Sequence, residues 1–133
     1  MSSATTPTVI PSLRYTDARK AIQWLVDAFG FTASLVVDGE GDTVAHAQLT
    51  YGSGMVMLGS VSDGSDGRLA TEQGPAGIYV VVDDIEAHYA TAREAGAEII
   101  QELREEGYGG QGYTARDPEK NVWSFGTYQP SMD

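Results

Sequence analysis

Residues 78–96 read IYVVVDDIEAHYATAREAG: a β-branched run, an aspartate pair, a helix-period stripe and a closing glycine. The same order occurs 67 positions earlier, where Leu13-Arg14-Tyr15-Thr16-Asp17 leads into Ala18, Ala21, Ile22, Leu25 and Ala28 and the pattern stops at Gly30. In the later copy Asp84 stands for Asp17, and the stripe falls on Ile85, His88, Tyr89, Ala92 and Ala95 before Gly96. Both stripes have the i, i+3, i+4, i+7 spacing of an amphipathic helix. Asp17 and Asp84 are the predicted N-caps, since a short carboxylate can accept from the free amides of a first turn. Glycine suits the left-handed residue at a helix end. A third match in the same register pairs Met55-Val56-Met57-Leu58-Gly59 with Val122-Trp123-Ser124-Phe125-Gly126, so the chain reads as an internal duplication.

Working outward, the first half gives strands over 9–15, 32–37, 43–51 and 55–60, with turns at Asp38–Asp42 and Gly52-Ser53. The second half gives strands over 78–82, 97–102, 112–116 and 122–128, with a glycine-rich loop around Tyr108-Gly109-Gly110 and a turn at Asp117–Asn121. Each half is strand–helix–strand–strand–strand. The expected organisation is one structural domain with a first βαβββ module over 8–60, a Ser/Asp/Gly-rich linker over 61–76 and a second module over 77–128.

A chain of 133 residues, 41% hydrophobic and 20% charged, has an ordinary globular composition and room for one core. Eight Lys and Arg against 19 Asp and Glu leave a net charge of −11, which repels phosphate backbones and anionic lipid and argues against nucleic-acid and membrane partners. The absence of cysteine excludes disulfides, thiol nucleophiles, iron–sulfur clusters and zinc thiolates. No apolar run is long enough to span a bilayer, and Met1–Thr8 has neither a basic nor an apolar region, so a cytoplasmic location is expected.

The paired units, the Tyr15-Thr16-Asp17 and Val82-Asp83-Asp84 helix entries, and above all Arg116-Asp117-Pro118-Glu119-Lys120-Asn121-Val122-Trp123-Ser124-Phe125 resemble the vicinal oxygen chelate superfamily over about residues 8–128. That group includes glyoxalase I, extradiol dioxygenases, fosfomycin-resistance enzymes and the metal-free bleomycin-resistance proteins. The resemblance implies an α+β fold in which two tandem βαβββ modules form curved mixed sheets around a ligand cavity. It also implies a homodimer.

Strand alternation assigns faces. Val9, Leu13, Ala45, Ala47, Leu49, Val56, Leu58, Ile78, Val80, Val82, Trp123 and Phe125 should face the helices. Ile10, Ser12, Arg14, Met55, Met57, Gly77, Tyr79, Val81, Val122 and Ser124 take the opposite parity. A two-residue Gly52-Ser53 turn would pair Tyr51 with Gly54, placing His46, Gln48 and Thr50 on the inner face and Tyr113 at the repeat equivalent of His46.

In the enzymes the chain resembles, a divalent metal is held by residues near the start of the first strand of each unit and on its last strand. The repeat maps these places onto Ile10 with Gly77 and Met57 with Ser124, which offer no imidazole or carboxylate. No metal, other cofactor or catalytic residue is therefore expected. The candidate ligand-binding residues are Arg14, His46, Gln48, Met57, Tyr79, Tyr108, Tyr113 and Ser124. Arg14 either clamps a carboxylate or phosphonate or pairs with an acid of the chain. The methionines adapt to irregular ligands, and the tyrosines stack on planar, cationic ones in an anionic field. His46 is read as a ligand contact or a solvated strand residue, and His88 as packed against the sheet. The expected function is metal-independent small-molecule binding of the antibiotic-sequestering, bleomycin-resistance type. The alternative is a glyoxalase- or dioxygenase-like lyase or isomerase with a displaced metal or His46-based chemistry.

Overall fold

The computed structural model describes residues 7–64, 75–107 and 109–130. Its elements are β1 (Ser12–Tyr15), α1 (Ala18–Phe29), β2 (Thr32–Asp38), β3 (Val44–Tyr51), β4 (Gly54–Ser60), β5 (Gly77–Val81), α2 (Ile85–Glu94), β6 (Glu98–Glu105), β7 (Gln111–Arg116) and β8 (Val122–Gly126). The strands form two mixed sheets of order β1-β4-β3-β2 and β5-β8-β7-β6. This is an α+β fold of two tandem βαβββ modules, as the duplication predicts. Residues 65–74 of the expected linker lie outside the described residues.

Two compact units emerge from the contacts. The first holds the described residues up to Val26 and from Gly30 to Gly64; the second holds Asp27–Phe29 and the described residues from Pro75. Both helix starts follow the capping logic of the sequence: Asp17 accepts from the Lys20 amide at 3.1 Å and Asp84 from the Ala87 amide at 3.2 Å. Gly30 closes α1 in the left-handed conformation at φ 80°. Gly96 takes φ 87° one residue beyond the α2 cap.

In the first unit, Leu13, Tyr15, Ala47, Leu49, Val56 and Leu58 fill the buried face of the sheet. Two expectations fail there. Val9 is 82% exposed and precedes the strand, which begins only after Pro11, a residue without an amide hydrogen to donate to the ladder. The Pro11 carbonyl still accepts from the Met57 amide at 2.9 Å. At the start of β3 a register shift opposite Val37 and Asp38 puts Val44, rather than Ala45, into the interior. The Val44 amide donates to the buried Ser60 hydroxyl at 2.8 Å.

The second unit turns on the Asp117–Asn121 loop. The buried Asp117 carboxylate accepts four bonds, from the amides of Glu119 (2.9 Å) and Asn121 (3.1 Å), the Asn121 side-chain amide (3.0 Å) and the Trp123 indole (3.1 Å). Asn121 passes the link on, accepting from the Ala76 amide at 2.8 Å just before β5. The loop places Lys120 at φ 77°, which a non-glycine residue adopts only where its surroundings impose it. Above the loop, Trp123, Phe125, Tyr113 and Phe29 form the aromatic interior, with ring centroids of Phe29 and Phe125 at 4.6 Å and of Tyr113 and Phe125 at 5.1 Å.

Replacing Asp117 with Ala removes the carboxylate that the buried Trp123 and Asn121 side chains donate to. The expected loss is about 3 kcal/mol, since each bond to a buried charged acceptor contributes about 1.5–3 kcal/mol and the four are not additive. Urea unfolding of Asp117→Ala beside the wild type measures it, and a loss under about 1 kcal/mol would mean the loop is held by other contacts.

Candidate functional site

The open face of the first sheet is ordered by its registers. Ser12 lies beside Met57, Met57 beside Gln48, and Gln48 beside Leu35. In the next row Arg14 lies beside Gly59, and His46 beside Val37. Arg14, His46, Gln48 and Met57 are all half-buried. The missing side chain at Gly59 lets the Arg14 guanidinium fold across the sheet, because a Cβ there would collide with Arg14 Nη1. That Cβ would also stand 2.9 Å from the Ala45 carbonyl, so the strand itself leaves no room for a larger residue.

Arg14 makes no hydrogen bond or ion pair among the described residues, so no described acid takes the pairing that the sequence leaves open. The other described arginines are all engaged. Arg19 bonds Asp38, Arg104 bonds Glu106, Arg116 bonds Glu98, and Arg93 sits 5.4 Å from the Tyr89 ring centre. His46 and Gln48 contact each other at 3.1 Å between the imidazole Nε2 and the side-chain amide nitrogen. With the amide donating, Nε2 is the acceptor and the proton of the neutral ring sits on Nδ1.

The second unit carries a different set. Tyr79 is 38% exposed, and its hydroxyl leans over Gly126 to donate to the Tyr128 carbonyl at 2.7 Å. Ser124 lies beside Tyr79 in register and exchanges a 3.1 Å hydroxyl bond with Thr114. The Glu106 carboxylate, with a side chain only 10% exposed, covers Gly112 and accepts from Arg104 Nε at 3.2 Å. Tyr108 lies outside the described residues.

Tyr113 corrects the sequence reading. It is buried, faces α2 and packs against Tyr89, His88 and Phe125. The cause is parity. The two-residue turn pairs Tyr51 with Gly54 and Gln48 with Met57, whereas the five-residue Asp117–Asn121 loop pairs Arg116 with Val122 and Thr114 with Ser124. The repeat therefore slips by one residue on this strand. Gln48 corresponds to Thr114 and His46 to Gly112, and a one-residue slip moves every side chain to the other face. The roles of Gly59, Gly112 and Gly126 as floors for longer side chains went unread, although Gly59 and Gly126 stand 67 residues apart and end the matched strands.

The metal of the chelate enzymes does not fit here. Register sets Ser12 beside Met57 and Tyr79 beside Ser124, while Ile10 precedes β1 and Gly77 lies beside Val122. None of these residues supplies a carboxylate or imidazole, and among the described residues no three His, Asp or Glu side chains cluster as a metal site.

Residues 8–125 match the family model described as the Glyoxalase/Bleomycin resistance protein/Dioxygenase superfamily. The chain belongs to this superfamily. Among its relatives, uncharacterized protein Mb0911c of Mycobacterium bovis is 30% identical over 125 residues, covering 90% of this chain and 82% of the relative. Uncharacterized protein Rv0887c of Mycobacterium tuberculosis is likewise 30% identical, covering 90% of this chain and 74% of the relative. TioX from Micromonospora sp. ML1 superposes with a TM-score of 0.79 and 32% identity, covering 92% of this chain and 99% of that one. A superfamily member from Sphaerobacter thermophilus shares the fold at a TM-score of 0.65 and 21% identity, covering 90% and 97% of the two chains. No helix among the described residues is long and apolar enough to cross a membrane.

His88 is the other histidine of this superfamily member. Its Nε2–H donates to the Phe29 carbonyl at 2.8 Å, which leaves Nδ1 to accept from the Tyr113 hydroxyl at 2.6 Å. Burial holds its pKa below the ordinary 6.5, with the Phe29 bond pulling the other way. The unfolded imidazole thus takes up a proton first as pH falls. The stability His88 contributes is full above about 6.5 and is lost progressively below it, down to the depressed folded value. Unfolding free energies at pH 8 and pH 5 should therefore fall further in the wild type than in His88→Gln. Equal falls would assign the acid sensitivity elsewhere.

Proposed function

We propose that this chain is a metal-independent small-molecule binding protein, of the antibiotic-sequestering type found in the bleomycin-resistance branch of its superfamily. The observation that carries the reading is the open face of the first sheet, where Arg14, His46, Gln48 and Met57 sit half-buried, aligned in register, and without a carboxylate that would make a general acid–base pair or a metal set. Half-buried polar groups among adaptable apolar ones are what a binding surface needs. Catalysis by His46 would call for a group to orient its imidazole, and the side chain it meets among the described residues is the neutral Gln48 amide.

The net charge of −11 favours capture of ligands with a cationic part, and exposed Tyr79 offers a ring to a planar one. A homodimer belongs to the same proposal. The edge strand β2 leaves Leu35, Val36 and Val37 each about two-fifths exposed, on both faces of the sheet, a liability that pairing with another copy removes.

Calorimetric titration of protein purified without chelators, against a panel of planar and cationic antibiotics, tests the reading together with elemental analysis of the same sample. Saturable one-site binding by at least one compound, with no stoichiometric divalent ion and a dimer on sedimentation, is the expected result. A tightly held divalent ion, or turnover of a bound compound, would replace it with the enzyme reading.

A further inference from the structure

The guanidinium of Arg14 is the one cationic group on the open face of the first sheet, and it has no partner among the described residues. A shortage of acids is not the reason, because the chain holds 19 of them against eight Lys and Arg. Arg19, Arg104 and Arg116 all find carboxylates. A half-buried arginine has already lost part of its hydration, and an unpaired one is held at an energetic disadvantage that a bound oxyanion would relieve. Its geometry is prepared for this. The guanidinium lies across Gly59, where no side chain separates it from the His46 and Gln48 side of the sheet.

The same face changes character along the strand order β1-β4-β3-β2. From Arg14 on β1 it passes Met57 on β4 and ends at Leu35 and Val37 on β2, both exposed. Three strand spacings separate the ends, about 14 Å. A cation at one end and exposed branched apolar side chains at the other match an amphiphilic acid.

The geometry points to Arg14 as the anchor for a carboxylate on the ligand, with the ligand's apolar body laid across Met57 toward Leu35 and Val37. This inference rests on the small-molecule-binding reading and names the ligand chemistry at that end of the face. A planar carboxylate matches the two parallel N–H groups of a guanidinium edge, and an ammonium cannot reproduce that fork. The anionic chain repels small free anions, so an oxyanion without an apolar body should not accumulate there.

Three probes of one shape separate the possibilities: 2-naphthylacetate, its neutral amide 2-naphthylacetamide, and 2-(2-naphthyl)ethylammonium, with acetate as the control for charge alone. Titrations are followed by backbone amide shifts of the isotope-labelled chain. The naphthyl acid should bind at least about tenfold tighter than the amide, the value of one charge-assisted bond, and acetate should not saturate. Arg14→Gln should bring the affinities for acid and amide together, and Arg14→Lys should keep only part of the preference for the acid. Matching thermal melts of both variants would show that the sheet is intact. Equal binding of acid and amide, or a preference that survives Arg14→Gln, overturns the anchor while leaving small-molecule binding standing. Failure of the acid to bind at all overturns the anchor too, and the antibiotic titrations then judge the broader reading separately.

Discussion

A single buried carboxylate governs the second half of this protein. Asp117 gathers two backbone amides, an asparagine amide and an indole, and so fixes a five-residue loop where the first half has two residues. Loop length sets which residues of a hairpin face each other, and pairing sets which side of the sheet each one occupies. Through that chain of constraints Asp117 decides that Tyr113, Trp123 and Phe125 share one interior and that Thr114 and Ser124 share the opposite face. Its two oxygens each accept two bonds, Oδ1 from the Glu119 and Asn121 amides and Oδ2 from the Asn121 side chain and the Trp123 indole.

The duplicated architecture therefore carries unlike chemistry on its two open faces. Where the first sheet has Arg14 lying over Gly59 beside His46, the second has the Tyr79 hydroxyl over Gly126 and the Glu106 carboxylate over Gly112. In both halves a glycine serves as a floor, so that a long side chain from a neighbouring strand or loop can lie flat on the sheet. One half presents a cation without a partner among the described residues, and the other a carboxylate already bonded by Arg104.

Local signals of the sequence carried far. The helix caps at Asp17 and Asp84, the order of strands and the alternating face of β3 and β4 all follow from side-chain periodicity and capping chemistry, which act over a few residues. The inner-face parity of Arg14, Gln48 and Met57 was legible for the same reason. Tyr113 was not, because its face depends on a loop whose length along the strand ladder is settled by Asp117 reaching Trp123 six residues on. Val9 and Ala45 were misplaced for related reasons, since a proline and a register shift interrupt the alternation that ordinarily extends a strand.

The amino-acid order alone established a duplicated βαβββ chain, acidic and free of cysteine. Periodicity, composition and the donor chemistry of each side chain travel with the residues and need no neighbours to be read. Whether Arg14 would find an acid, which glycines would lie beneath other side chains, and which way Tyr113 would point awaited the folded chain. Those outcomes depend on residues brought together from distant strands, and strand register is a property of the whole ladder rather than of any one segment.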